Sequence, residues 1–516
     1  MTFLLLPSFV QTLFAIAVLY AVYYVYWQFT VGASRRAIIR ENGCEPVKNT
    51  KELNGFPENI IGTKAALENM RALKSGNFLS MNRARLLRNG PMMHIKILFT
   101  EIYTTIEPEN VKTILATKFN DWSYGPRRTD AFLPLLGNGI FTNEGVAWQH
   151  SRELLRPNFT RSLVGDLVTM EHHVQQLMKH IPRDCSTVNL ADLFFQLTLD
   201  SATEFLFGES TNCLASGQTP KRSVRFAEAF KDAQAEIADQ NRFGPLYRLL
   251  HSQKKFKQNI KTCHDFVDSF VQKGLEYRKT LDLSKGPPDV KEDERYIFLY
   301  EMVKRTADAY QIRSELMNVL LAGRDTTASL LSNVWFILAR RPDVWTKLRK
   351  EVDEVGSQPP TFQQLKDMKY LRWVLNETLR LYPVVPGNAR AAVVDTVLPL
   401  GGGEDGQSPL FIPKGQVVQW SLYTIQRRHD IYGEDADDFN PDRWAILRPG
   451  WEYLPFNGGP RICVGQQFAL TEAGYTTVRL MQEFKAVESR DAREWREDLG
   501  LTCTIHQGTL VGLTPA

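Results

Sequence analysis

The chain has 516 residues, 43% of them apolar, with a formal net charge of +4. This length and composition support a large buried core, and the near-neutral balance argues against a nucleic-acid surface. Six cysteines, Cys44, Cys185, Cys213, Cys263, Cys463 and Cys503, are scattered without any C-x-x-C spacing, which excludes a dense disulfide framework and points to a mostly reduced compartment.

Residues 4–29 carry no charge and are almost wholly apolar. About 20 such residues cross a ~30 Å hydrocarbon core. Tyr20, Tyr23, Tyr24, Tyr26 and Trp27 gather at the C-terminal end, as aromatic side chains do at a membrane–water interface. Arg35, Arg36 and Arg40 follow, and no basic residue precedes the run. The expectation is a single transmembrane anchor over 4–29 with the bulk of the chain cytosolic. A secretory signal peptide is the competing reading. The missing basic n-region, the length and the bulky aromatic end weigh against it. Residues 30–60 read as a linker, with turns at Gly43, Pro46 and Asn54-Gly55-Phe56-Pro57.

Met92 to Thr105 reads as strand, and Glu107-Pro108 opens a helix. Residues 121–147 carry Gly125-Pro126, Gly137, Gly139 and Gly145 and read as a loop lining a pocket. Trp148 and Arg152 follow at i, i+4 and share a helix face. Both are donors, so the pair can hold an anionic group; a Trp packed on an Arg stem gives the same spacing. Residues 161–285 have helical periodicity, broken near 182–188 and 209–221, with another break at Phe243-Gly244-Pro245. Lys285 to Glu294 reads as a charged surface loop.

Residues 310–340 give the longest convincing helix. Its middle, Ala322-Gly323-Arg324-Asp325-Thr326-Thr327, is poor helix-interior sequence. A hydroxyl bonding back to the i−4 carbonyl can bend the helix there. Glu377 and Arg380 sit at i, i+3 in an apolar setting that argues for burial. Val393–Val397, Leu410–Ile412 and Val417–Trp420 read as short strands. The Gly401–Gly406 loop lacks a G-K-[ST] ending, and no G-x-G-x-x-G stands in a strand–helix context, so nucleotide binding is rejected.

The last motif is Phe456-Asn457-Gly458-Gly459-Pro460-Arg461-Ile462-Cys463-Val464-Gly465. Its glycines allow tight turns or close approach to a flat ligand. A thiolate among backbone N–H groups, with Arg461 nearby, suits an electron-poor metal such as haem iron. The F-x-x-G-x-R-x-C-x-G pattern resembles the haem-binding signature of the cytochromes P450 at every fixed position. The Trp148/Arg152 pair, the A-G-x-D-T-T run and the E-x-x-R resemble three further motifs of that family.

The resemblance implies a mainly α fold with a small β region, the P450 haem domain spanning 61–516 behind the transmembrane helix. It implies haem b between the Thr326 helix and the Cys463 loop, with Cys463 as axial ligand. Trp148 and Arg152 would contact a haem propionate. Arg390, thirteen residues after Glu377, is where many relatives carry another propionate-binding arginine, and Arg461 lies in the cofactor loop. Thr326 would order the hydrogen bonds that activate oxygen, and Asp325 would help deliver protons. Ala322 and Gly323 would leave room above the iron. Glu377, Arg380 and Arg443 would form a buried structural network. The Phe243–Tyr247 break is where the family's substrate lid would lie.

The stretch W-x-H-S-R-x-L-L-R-P-x-F is similar to the fungal alkane- and fatty-acid-hydroxylating group, although Gly387 stands where that group often has an arginine. The implied activity is O₂- and NADPH-dependent hydroxylation of a long-chain alkane or fatty acid, at the terminal carbon. The implied setting is the endoplasmic reticulum membrane, with NADPH–cytochrome P450 reductase and cytochrome b5 as electron donors. A fungal tailoring enzyme acting on a polyketide or terpenoid is the runner-up. A non-enzymatic haem sensor is the reading from another class, and the complete oxygen-helix motif speaks against it.

Overall fold

The computed structural model describes residues 8–48, 60–159, 167–215, 220–244, 247–248, 251–282 and 296–516. Helices dominate, and the strands form small sheets. Helix α1 (Ser8–Phe29) is exposed from Val10 almost to its end. The chain kinks at Thr30 and continues as α2 (Val31–Glu41). Taken together they give one helix, Val10–Glu41, long and apolar enough to cross a membrane. The region read as a linker thus opens with a helix. Arg36 secures it by donating to the Gln28 side chain at 2.8 Å and to the Gln28 carbonyl at 2.7 Å. Gly43 does turn the chain, at φ +60°. Asn54–Pro57 lie outside the described residues, as do residues 4–7 of the expected span and Lys285–Glu294.

Strands β1 (Met92–Ile97) and β2 (Thr100–Thr105) form a hairpin that begins a five-stranded sheet. Its other members are β3 (Trp122–Ser123), β4 (Gly387–Ala392) and β7 (Val417–Ser421), in the order β1-β2-β7-β4-β3. Strands β5 (Thr396–Gly402) and β6 (Ser408–Ile412) make a separate hairpin. Val393–Asp395, expected in a strand, is the connection between β4 and β5. Val393 and Val394 are exposed there, so their β propensity is overridden by the turn.

The stretch read as a pocket loop holds helix α3 (Pro126–Leu136). Its glycines are the caps: Gly125 precedes Pro126 at φ +79°, and Gly137 ends the helix at φ +63°. Ala131, Phe132, Leu135 and Leu136 are its buried face. Helix α4 (Gly145–Leu155) carries Trp148 and Arg152.

Helices α5 (Leu190–Phe207) and α6 (Lys221–Phe243) precede the central helix α7 (Ala309–Leu338). Asp308 caps α7, accepting from the Tyr310 and Gln311 N–H groups at 2.9 and 3.2 Å. Most of α7 is buried all round, which marks it as the helix the core is built on. Helix α8 (Lys369–Leu381) carries Glu377 and Arg380, and α9 (Gln466–Glu483) follows the Cys463 loop.

Glu377 and Arg380 are fully buried. Arg380 forks onto Glu377 at 2.9 and 2.8 Å. Arg443 Nε adds a bond at 3.0 Å, and the Trp444 indole and the Asn440 N–H each add one at 2.9 Å. The rest of the Arg380 fork goes to the Gln426, Ala436 and Asp438 carbonyls. Every charge is therefore satisfied, and removing one partner strands the other. Glu377→Ala should destabilise the fold by about 3–5 kcal/mol, read as a lower urea midpoint. A midpoint equal to the parent's would remove this network from the determinants of stability.

Candidate active site

Two of the sequence-marked residues, Arg390 and Arg461, meet at Tyr124, which no motif singled out. The guanidinium carbons of Arg128, Arg390 and Arg461 lie 4.0, 4.1 and 4.6 Å from the Tyr124 ring centroid. Arg461 also lies 4.4 Å from the Trp148 ring centroid. Burial raises the Tyr124 phenol, but Arg390, Arg128 and Arg461 outweigh it and bring the pKa below the usual tyrosine value. Burial pushes Arg390 down to about 10 and lowers Arg128 as well. The carboxylate facing this group is Glu144, which pairs with Arg461 Nη2.

Several donors stay unpaired: Arg128 Nε, Arg390 Nη2 and Arg461 Nη1 are buried without a hydrogen-bond partner. Buried unpaired guanidinium donors are costly, so the site is built for an anion. The sequence did hold a signal for Arg128. Arg127 and Arg128 stand in the first turn of α3, where the helix dipole disfavours cations.

Trp148 is buried beside Phe119, with ring centroids 5.6 Å apart. Arg152 is 5.8 Å from the Trp148 ring centroid, and its Nη1 donates to the Ile462 carbonyl at 2.9 Å. It thus supports the cysteine loop, while Arg461 is the guanidinium nearer the indole.

The loop itself is tightly turned. The Cys463 N–H donates to the Phe456 carbonyl at 2.9 Å, and the Ile462 N–H to Gly459 at 3.1 Å. A Cβ at Gly459 would lie 2.0 Å from the Leu115 carbonyl oxygen, and one at Gly458 would lie 2.8 Å from the Trp451 ring. Those two glycines admit protein neighbours rather than a ligand. Gly465 has an open side, with only Phe159 at 3.8 Å. Cys463 is exposed on one side and otherwise enclosed. Burial raises its thiol, whereas the Gly465 N–H and the Arg152 charge pull it back.

On α7, Thr326 Oγ1 donates to the Ala322 carbonyl at 2.7 Å, the back-bond its position suggested. Asp325 is buried and pairs with Arg324 at 2.9 Å. Burial raises its carboxyl, and Arg324 and the α6 residue Gln234 pull it down. Asp325 therefore turns toward its own neighbour and α6. Gly323, expected to leave room, faces α5: a Cβ there would meet Ala202 at 3.6 Å.

A family model for cytochrome P450 matches residues 67–509. The chain is a cytochrome P450. Cytochrome P450 monooxygenase fsdH of Fusarium heterosporum is 41% identical over 505 residues, covering 96% of this chain and 88% of the relative. Cytochrome P450 monooxygenase himC of Aspergillus japonicus is 43% identical over 476 residues, covering 92% and 84%. Cytochrome P450 52A5 of Candida maltosa is 45% identical over 442 residues, covering 82% of each. This P450 is accordingly an enzyme, a monooxygenase, and haem b is the cofactor of its family.

The residues fit that group. Haem is flat, carries two carboxylates and needs an axial ligand. The cationic cluster offers unpaired donors, and Cys463 stands accessible in the adjoining loop. Arg390→Ala should lower the haem-to-protein absorbance ratio of the purified enzyme, and Arg128→Ala should do the same although no motif marks it. A full complement of haem in both variants would mean that the unpaired donors serve another anion.

Proposed function

We propose that this P450 is a haem-thiolate monooxygenase of the endoplasmic reticulum membrane that hydroxylates a long-chain alkane or fatty acid. The observation that carries the haem site is the set of unpaired donors on Arg128, Arg390 and Arg461 around Tyr124. Electrons derive from NADPH through a separate reductase, with cytochrome b5 as a second donor. Helix α1 is the anchor, and the catalytic part faces the cytosol.

When bound, haem supplies the reductive activation of O₂ that places one oxygen atom in a C–H bond and releases the other as water. The protein's part is binding, positioning and proton traffic. Arg390, Arg128 and Arg461 would hold the propionates, with Trp148 beside Arg461 and Arg152 bracing the Cys463 loop. Cys463 would present its sulfur as thiolate to the iron; burial raises the free thiol, and the Gly465 N–H and Arg152 work against that rise. Thr326 has one hydroxyl proton, committed to Ala322. In this arrangement it accepts hydrogen bonds; to donate, it must leave the Ala322 carbonyl. Asp325 would have to open its pair with Arg324 to pass a proton on.

The substrate class rests on the W-x-H-S-R-x-L-L-R-P-x-F stretch and on the identity to the 52A proteins. Gly387 favours a second reading, tailoring of a polyketide or terpenoid. A Cβ there would come within 2.9 Å of the Trp420 carbonyl oxygen, so the arginine common in the alkane group does not fit this strand pair. Turnover of purified enzyme with a reductase on fatty acids, alkanes and terpenoids separates the two.

Two substitutions test the chemistry. Cys463→Ala should abolish the thiolate-type spectrum of the reduced carbon monoxide complex; its survival would move the axial ligand elsewhere. Thr326→Ala should keep haem content and substrate affinity. It should divert NADPH into hydrogen peroxide or excess water, because ordered hydrogen bonds count most in a dry, preorganised site. Parent-like coupling in that variant would take Thr326 out of oxygen activation.

A further inference from the structure

One end of the five-stranded sheet is apolar and exposed. Phe99 and Leu98, at the β1–β2 tip, are 70% and 40% exposed. Both have positive φ, 67° and 44°, an unusual conformation for bulky apolar residues. Ile60 is exposed beside them, since the Phe99 N–H donates to the Ile61 carbonyl at 2.9 Å. Strand directions bring further apolar residues to this end. Strand β7 runs parallel to β2 and antiparallel to β4, so β7 starts and β4 finishes there. Val393 and Val394 follow β4 and are exposed. Gln416 Nε2 joins the segments by donating to the Glu101 carbonyl at 2.9 Å.

The same end grips the extension of the apolar helix. Arg35 on α2 donates twice to Asp395, each time at 3.0 Å. Its guanidinium carbon lies 5.8 Å from the Trp27 ring centroid and 6.0 Å from that of Phe411. Asp395 also accepts from the Lys414 N–H at 2.7 Å. Further along, the Glu45 N–H bonds to Pro409 and the Gly403 N–H to Pro46, each at 3.0 Å. The region after α1 is thus fastened rather than slack.

We propose that the Arg35–Asp395 pair is an orientation clamp that seats the Leu98–Phe99 and Val393–Val394 end of the sheet in the bilayer interface. This rests on the reading of α1 as a membrane anchor. Lipid is the occupant because the chain itself brings a bilayer to this edge. From Phe29, where α1 ends, to Arg35 is six residues, about 9 Å of helix at 1.5 Å per residue. Trp27, an interfacial side chain by type, lies against the clamp itself. Arg36, Arg40 and Lys414 supply cations at the level of lipid head groups.

The test uses the full chain in nanodiscs of phosphatidylcholine with brominated acyl chains. A fluorescent amino acid replaces Phe99, or, as a control, Ile446, which is 85% exposed beside the Pro441–Ala445 turn. The brominated chains should quench the probe at position 99 and not at 446. Arg35→Asp or Asp395→Arg alone should lose most of that quenching, and the double charge swap should restore it. All variants should still sediment with vesicles, because α1 is untouched. No quenching at position 99 in the parent, or unchanged quenching in the single variants, overturns the proposal. So does a probe shielded from aqueous iodide yet untouched by bromine, since a protein surface would then cover it. Failure of the parent to sediment with vesicles would instead overturn the anchor reading, and the clamp with it.

Discussion

Burying more positive charge than the facing protein groups balance is the constraint on which the active site depends. Arg128, Arg390 and Arg461 crowd one tyrosine ring, with Glu144 as the carboxylate facing them. The self-energy of such a cluster in a low-dielectric setting is high. Cation–π contact with Tyr124 and Trp148 offsets part of it, at about 0.5–2 kcal/mol for each contact. The remainder is strain that a bound anion would relieve. If the proposed haem site holds, haem binding and folding of this corner are linked by mass action, because what binds the folded form stabilises it. The Glu377 network is the opposite case, because its charges are closed on one another and its work is structural.

Helix α7 carries a similar tension. Its flanks are packed against α5 and α9, while its middle holds Asp325 and Thr326. Both polar groups are provided for within the protein, Asp325 by Arg324 and Thr326 by the Ala322 carbonyl. Packing thus holds a turn that local propensity would not choose. The same arrangement keeps the two residues apart.

What the sequence made legible was local. The cysteine loop, the Trp148/Arg152 spacing and the E-x-x-R each fit within one turn or one loop, where residue type and spacing carry the geometry. The extent of α7 followed from its apolar periodicity. What escaped was non-local. Tyr124 and Arg128 gain meaning only when β4 and the cysteine loop bring Arg390 and Arg461 to them. Helix α3 was hidden because its capping glycines look like loop residues. Arg35 found Asp395 across 360 positions of sequence, a pairing that no periodicity reports. Gly323, expected to leave room above the iron, faces Ala202 instead, and Gly459, whose type admits a tight turn or a close ligand, has the Leu115 carbonyl as its neighbour.

The contacts also join the clamped edge to the cofactor loop. Hairpin β5–β6 receives the segment after α2 at Pro409 and Gly403. On its other flank, buried Asn110 bonds both ways to Leu400, donating at 3.0 Å and accepting at 3.1 Å. Lys118 holds the Val397 carbonyl at 3.1 Å, and Thr396 donates to Asp121 at 2.7 Å. Between Asn110 and Lys118 the helix widens to a π turn, Thr113–Thr117. Such widened turns often mark functional positions. Here the Leu115 carbonyl stands where a Cβ at Gly459 would have to go. With φ at +65°, Gly459 is doubly restricted, by conformation and by space. The seat of Cys463 is thus set partly by a helix pinned to the hairpin that meets the segment after α2, and a shift at that hairpin has a path of contacts to the cysteine loop.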